Sequence, residues 1–248
     1  WIGFDPRESH AFAVAAESIQ AHMSEHIPIR GIVLDHLRAR GLYTRPTESR
    51  LGRLWDVISD AHMSTAFAIS RFFTPMLARE LAASNFYQSS GWALFVDCDV
   101  LARSDIVELF ESADDSKAVM CVKHDHAPPD GIKMDGQVQT SYPRKNWSSV
   151  CLYNLEHPSN RRLTVEMLNS VPGRELHAFK WLDDDEIGGL PVEWNWLVRH
   201  SPEQVDPKLV HFTEGLPLLS GFENDPYADD FIAVLNRWAD RVGIGAPL

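Results

Sequence analysis

Residues 91–99, GWALFVDCD, leave the chain few folds to choose from. Six mostly apolar residues in a row read as a buried strand, and that strand runs straight into two carboxylates one residue apart. In an extended strand, residues two apart project to the same face. Asp97 and Asp99 therefore converge on one point while Cys98 faces the packed side. Like charges held together on rigid backbone await a proton or a cation. At the carboxyl end of a strand in an open α/β sheet, that point lies in the crevice where ligands bind. Hard oxygen ligands with room for water and phosphate suit Mg²⁺ or Mn²⁺. A proton-sharing pair leaves the strand context unexplained, and two solvated aspartates in a turn are the plain alternative.

The flanking sequence supplies such a sheet. WIGF reads as a strand and is followed by the turn DPRES and a helix from Ser9 to Met23. That helix has an apolar face of Ala11, Phe12, Val14, Ala15, Ser18 and Ile19. IPIRGIVLD is a second strand, residues 36–63 read as polar and irregular, and residues 64–82 read as helical with a break or restart at Pro75. SDIVELFES begins a helix that Ser104 can cap, and KAVMCVKHD is another strand. Strands alternating with helices imply an α/β fold with a mostly parallel central sheet and helices on both faces. After a Pro-, Gly- and Asp-rich loop (Ala127 to Gly136) the second half is less regular. It holds the strand WSSVCLYNL, the helix NRRLTVEMLNSV, the extended GLPVEWNWLV, VHFTEGLP and a closing amphipathic helix, PYADDFIAVLNRWADRV. With no repeat or linker, residues 1–248 read as a single domain, with a nucleotide-side half to about residue 124 and a sugar and acceptor half beyond.

Charge narrows the partners. With 23 basic and 35 acidic side chains the net charge is −12, which argues against broad binding to nucleic acid or anionic lipid. An anionic ligand then requires a cation or clustered basic groups. No apolar run reaches the roughly 18 residues of a membrane helix. Cys98, Cys121 and Cys151 sit in apolar runs and read as buried reduced thiols of a cytoplasmic protein.

Two enzyme classes place D-x-D after an apolar strand: metal-dependent glycosyltransferases of GT-A fold, and haloacid-dehalogenase-like phosphatases. The phosphatase nucleophile lies near the start of its core domain, whereas Asp97 follows two strand–helix units. In order along the chain, IGFDPRES, SRFFTP, LFVDCDVLARSDIVELF, NWSSVCLYNL, WLDDDEIGGLP and VHFTEGLP resemble glycosyltransferase family 8 and its relatives. The resemblance implies a GT-A, Rossmann-like fold. It implies that Asp97, Asp99 and His211 chelate Mn²⁺ or Mg²⁺ beneath a nucleotide diphosphate, and that Gly3, Phe4, Asp5, Cys98, Thr213 and Gly215 border the nucleotide. Arg71, Asn146, Ser148 and Ser149 would border the sugar. Asp184 or Asp185 would contact the transferred sugar or stabilise charge at its anomeric carbon. The turn departs from the pattern at Leu216, where such enzymes carry a Lys, so a basic phosphate contact would come from elsewhere, such as Lys145, Arg144 or Arg7, or be absent.

Each of these residues also has an ordinary structural reading: a packed strand histidine, a helix salt bridge, a solvated acidic loop, core aromatics. The resulting expectation is a transferase that moves a hexose from a nucleotide-diphosphate sugar, UDP-linked, to a hydroxyl of a glycan, lipid-linked sugar, protein or other acceptor, with retention. The alternatives are a Mg²⁺-dependent phosphatase with Asp97 as nucleophile and Asp99 as acid/base, and a non-catalytic sugar or nucleotide binder.

Overall fold

A computed structural model describes residues 1–84, 91–125, 131–132, 138–139, 144 and 146–244. Of the expected loop Ala127–Gly136 only Gly131 and Ile132 are described, and Lys145 lies outside the described residues.

Strand β1 (Ile2–Phe4) leads through a 3-10 turn, Pro6–Glu8, into helix α1 (Ser9–His22). β2 (Gly31–Val33) and α2 (Leu34–Ala39) follow. Next come three short strands, β3 (Thr47–Arg50), β4 (Arg53–Asp56) and β5 (Ala61–His62), paired as an antiparallel sheet of their own. This sheet corrects the irregular reading of residues 36–63. Its strands are short and rich in exposed charge, so no apolar alternation marks them in the sequence.

A 3-10 turn, Ser70–Phe73, runs into α3 (Thr74–Ala83), where Pro75 sits in the first turn and costs no helical hydrogen bond. The quoted run forms β6 (Trp92–Val96), buried at every position, and β7 (Val100–Ala102) continues beyond the aspartates. Helix α4 (Val107–Glu111) starts with the Asp105 carboxylate accepting from Val107 N–H at 3.0 Å, so Asp105 takes the capping part expected of Ser104. β8 (Val119–Cys121) precedes a small ribbon of β9 (Gly131–Ile132) and β10 (Val138–Gln139). β11 (Val150–Asn154) is followed by the short helices α5 (Val165–Ser170) and α6 (Gly173–His177), then β12 (Ile187–Gly189), β13 (Trp196–Leu197) and β14 (Leu209–His211). Helix α7 (Ala228–Val242) buries Phe231, Val234, Leu235 and Ala239 along one stripe and ends on Gly243 in the left-handed region.

The main sheet has the order β12-β8-β11-β6-β1-β2. All its strands run parallel except β11, which is antiparallel to both neighbours. The mostly parallel α/β expectation therefore holds, and its fully apolar β6 is explained by burial on both faces. A second sheet, β13-β14-β7, adjoins the first where the chain passes from β6 to β7. Helix α1 fixes that junction: the buried Ser18 hydroxyl accepts from Ala102 N–H at 3.0 Å. Gly3 is required by close packing, since a Cβ there would lie 2.4 Å from the Phe67 ring. All three cysteines are free and buried, and no helix among the described residues is long and apolar enough to cross a membrane.

Candidate metal and nucleotide-sugar site

The two sheets meet on the D-C-D segment. β6 ends at Val96, and Asp97 N–H donates to Ser149 O at 2.9 Å, anchoring the first aspartate to the approach of β11. β7 then pairs with β14 so that Val100 faces His211, and Phe212 N–H donates to Asp99 O at 2.9 Å. A residue 112 positions beyond Asp99 is thereby delivered beside it by register alone. Ligand atoms of Asp97, Asp99 and His211 lie within 4.8 Å of one another. His211 Nε2 is 3.2 Å from Asp99 Oδ1.

Second-layer contacts fix the imidazole. His211 Nδ1 is 2.8 Å from Asn195 Oδ1. The Asn195 amide nitrogen donates to Ser149 Oγ at 2.9 Å and Asn146 O at 3.3 Å, which sets the amide's orientation. Its oxygen must then accept, so Nδ1 carries a proton and Nε2 is the nitrogen turned to the aspartates, donating to Asp99 as imidazolium or offering a lone pair to a cation that takes that proton's place. Imidazole ligands of metals are held in this way. On the other side, Arg71 Nη1 forms an ion pair with Asp97 Oδ1 at 2.7 Å and donates to Ser148 O at 3.0 Å. Arg71, Ser148 and Ser149 are all buried here.

The electrostatics leave the cluster short of positive charge. Burial pushes the Asp97 carboxyl up to about 6, with Arg71 opposing and Asp99 adding to the rise. Burial disfavours imidazolium at His211, but Asp99 and Asp97 outweigh it and raise its pKa. A neighbouring acid absent from the sequence-based set joins them. Glu8 Oε2 accepts from the Cys98 thiol at 3.3 Å, and burial, then Asp99, push its carboxyl up to about 7. Two carboxylates and an oriented imidazole fit a divalent ion of the Mn²⁺ or Mg²⁺ type, with open positions for phosphate oxygens.

The remaining expected residues fall in two groups. Gly3, Phe4 and Asp5 lie at the carboxyl end of β1; Phe4, Asp5, Pro6 and Arg7 line a cavity of about 300 Å³ together with Arg38, Arg53 and Leu54. Phe4 packs edge-on against Phe12, with centroids 5.3 Å apart. Asp5 is buried and accepts from Ala66 N–H at 2.8 Å and from Arg7 through its amide and guanidinium. These contacts outweigh the effect of burial and lower its pKa. The Cys98 thiol points at Glu8, so a nucleotide there would meet backbone. Thr213 and Gly215 follow His211, and a Cβ on Gly215 would lie 2.7 Å from the Phe222 ring. Glu214 in the same turn draws in two basic side chains, His200 at 2.8 Å and Arg199 at 3.8 Å. Of the basic residues the sequence offers for a phosphate contact, Arg144 pairs with Asp184 and donates to Ala178 O at 2.6 Å, while Arg7 is held by Asp5.

Asp184 and Asp185 are not brought to the crevice. They form the 3-10 turn Asp184–Glu186 just before β12, and Ala118 N–H donates to Glu186 O at 2.8 Å. Ile187 pairs with Val119, so the acidic block lies at the amino ends of β12 and β8, whereas Asp97 follows the carboxyl end of parallel β6. The physical reason is local: Asp183 and Glu186 form a reciprocal capping box, and the chain turns there to enter the strand. Trp147 has Lys123 and Arg144 within 5.8 and 5.5 Å of its ring, and its N–H donates to His124 O at 3.0 Å.

Comparison with known proteins adds a close relative and a fold. Over 234 residues the chain is 43% identical to "Protein CDI" of Arabidopsis thaliana, covering 92% of this chain and 82% of that protein. No family profile matches. Among solved structures, the bifunctional glycosyltransferase WbbM superposes with a TM-score of 0.61 at 15% identity, over 98% of this chain and half (50%) of that one. The galactosyltransferase LgtC, solved with donor and acceptor sugar analogs, gives 0.52 at 14% identity, over 95% and 94% of the two chains. The fold is therefore the GT-A glycosyltransferase fold.

Proposed function

This chain belongs to the family of Arabidopsis thaliana protein CDI, and we propose that it is a metal-dependent glycosyltransferase moving a hexose from a nucleotide-diphosphate sugar, UDP-linked, to a hydroxyl acceptor. One observation carries the reading: Asp97, Asp99 and His211 converge at the carboxyl end of β6 in a glycosyltransferase fold. Asp97, Asp99 and the Nε2 lone pair of His211 would hold Mn²⁺ or Mg²⁺. When bound, that ion stabilises negative charge on the departing diphosphate.

This chain's own side chains prepare the rest. Asn195 keeps His211 in the tautomer that ligates. Arg71 offsets the Asp97 charge and, through Ser148 O, ties the D-C-D segment to the loop bearing Asn146, Ser148 and Ser149, which would border the sugar. The nucleoside would occupy the cavity beside Phe4. Asp184 and Asp185, at the far ends of the strands, have no part in this reading. Transfer with retention follows from the family 8 resemblance, and a trapped product with the inverted anomer would remove it. The phosphatase alternative requires Asp97 as a free nucleophile, but Asp97 is engaged by Arg71 in a fold shared with glycosyltransferases. Screening nucleotide-hexoses for Mn²⁺-dependent hydrolysis tests the proposal. Turnover of a UDP-hexose that stops on chelation is expected; metal-dependent UDP binding without turnover of any donor would favour a non-catalytic binder.

A further inference from the structure

Arg71 is a buried cation gripped at one corner. Both of its polar contacts among the described residues use one nitrogen: Nη1 pairs with Asp97 Oδ1 at 2.7 Å and donates to Ser148 O at 3.0 Å. Its Nε is buried without a hydrogen-bond partner among the described residues, and the guanidinium lies 5.3 and 5.2 Å from the Phe67 and Phe95 ring centroids. Aromatic rings confine a guanidinium, but a forked grip on two nitrogens is what fixes its angle. Here the angle depends on where the Ser148 carbonyl stands.

That carbonyl is set by a side chain the mechanism has not yet used. His177, the last residue of α6, brings Nδ1 to 2.7 Å from Ser148 Oγ. The ring also hydrogen-bonds the Ala68 backbone, and Phe72 packs edge-on against it with centroids 5.2 Å apart. Ala68 and Phe72 belong to the segment that carries Arg71, so one imidazole clasps both segments whose groups meet at Asp97. Burial, then the charge of Arg71, push the His177 pKa down to about 3, which keeps the ring neutral beside that cation. A hydroxyl donates and accepts, so the Ser148 contact holds in either tautomer.

We infer that His177 is a positioning residue: by fixing Ser148 it holds the Arg71 guanidinium at the angle that meets the donor sugar. The inference rests on the glycosyltransferase reading above. Two measurements on the full chain test it, using His177→Ala, His177→Asn, Ser148→Ala and the double alanine variant. In protein carrying isotope-labelled arginine, the Arg71 Nε–H resonance, identified by its loss in Arg71→Lys, should shift and broaden in His177→Ala. It should return in His177→Asn, whose amide can replace the Nδ1 contact. The second measurement is Mn²⁺-dependent hydrolysis of UDP-glucose, UDP-galactose, ADP-glucose and GDP-mannose. There His177→Ala should lower kcat about ten- to a hundredfold, the loss expected of a misplaced group, with KM and Mn²⁺-dependent UDP binding near wild type. His177→Asn should recover most of that rate. Ser148→Ala in the His177→Ala background should cost little more, because the two side chains act as one. An Arg71 resonance unmoved in His177→Ala overturns the inference and leaves the glycosyltransferase reading intact, as do additive losses or a rate that falls only with the folded fraction. No hydrolysis of any of these donors by wild type overturns the glycosyltransferase reading, and with it the role given to Arg71, whatever the resonance does.

Discussion

Two clusters of enclosed charge are built on opposite terms. In the first, Arg45 is fully covered and donates to both oxygens of Asp56 and to Leu168 O and Val171 O, while Asp56 also accepts from Ser59 N–H and Oγ. Burial opposes the Asp56 charge, yet Arg45 and Ser59 overcome it and lower the pKa. In the second, around Asp97 and Asp99, burial wins and the carboxyl rises to about 6. The first cluster is complete without a ligand and pins the small sheet of β3, β4 and β5 to the end of α5. The second gathers two half-buried acids around one arginine and one imidazole. Charge neutralised deep in the fold serves the architecture, and acids crowded at a crevice mark a place where something binds.

The largest effects should separate the clusters cleanly. Asp99→Asn is expected to abolish measurable Mn²⁺-dependent UDP binding with the melting temperature of the metal-free protein unchanged or raised, because it relieves repulsion. Calorimetry and thermal melts check the two halves, and retained affinity would put the metal elsewhere. Arg45→Met should do the reverse. It strands the Asp56 carboxylate and costs about 3–5 kcal/mol of stability in denaturant titrations, while the folded fraction binds nucleotide as wild type does.

Asn195→Ala is the intermediate case. Its expected cost is about ten- to a hundredfold in metal affinity, read by Mn²⁺ titration, with only a modest change in melting temperature. The smallest effect is a pH dependence. Because the folded state lowers the pKa of Asp56, its stabilisation is complete above its unfolded value of about 3.9 and fades as pH falls through the folded value. Wild type should therefore lose more stability on acidification than Asp56→Asn, measured by denaturant midpoints between pH 6 and 2. Parallel loss in both would mean that the pair adds no pH-dependent stability.

The contrast also explains what the sequence could reveal. β6 and the aspartates behind it were legible because an all-apolar strand followed by two acids two apart forces a shared face. Helices α1 and α7 were legible from their apolar stripes. The β3–β5 sheet was not, because its strands are only two to four residues long and carry charge without apolar alternation. His211 could be named only through the family resemblance, and the register that brings it to Asp99 is a pairing between strands a hundred residues apart. Asn195 and Glu8 were harder still. An Asn between tryptophans and a Glu in a turn look ordinary until the fold sets one against an imidazole and the other against a thiol. The acidic block at Asp183–Glu186 shows the same limit: its charges are conspicuous in the sequence, but nothing there tells that Asp183 and Glu186 cap a 3-10 turn or that Asp184 pairs with Arg144.

Anomalous diffraction at the manganese edge from crystals grown with Mn²⁺ and UDP tests the central claim most directly. The account predicts one strong peak about 2 Å from carboxylate oxygens of Asp97 and Asp99 and from His211 Nε2, with diphosphate oxygens completing the shell. A nucleotide seated in the crevice with no anomalous peak among those three side chains would contradict it.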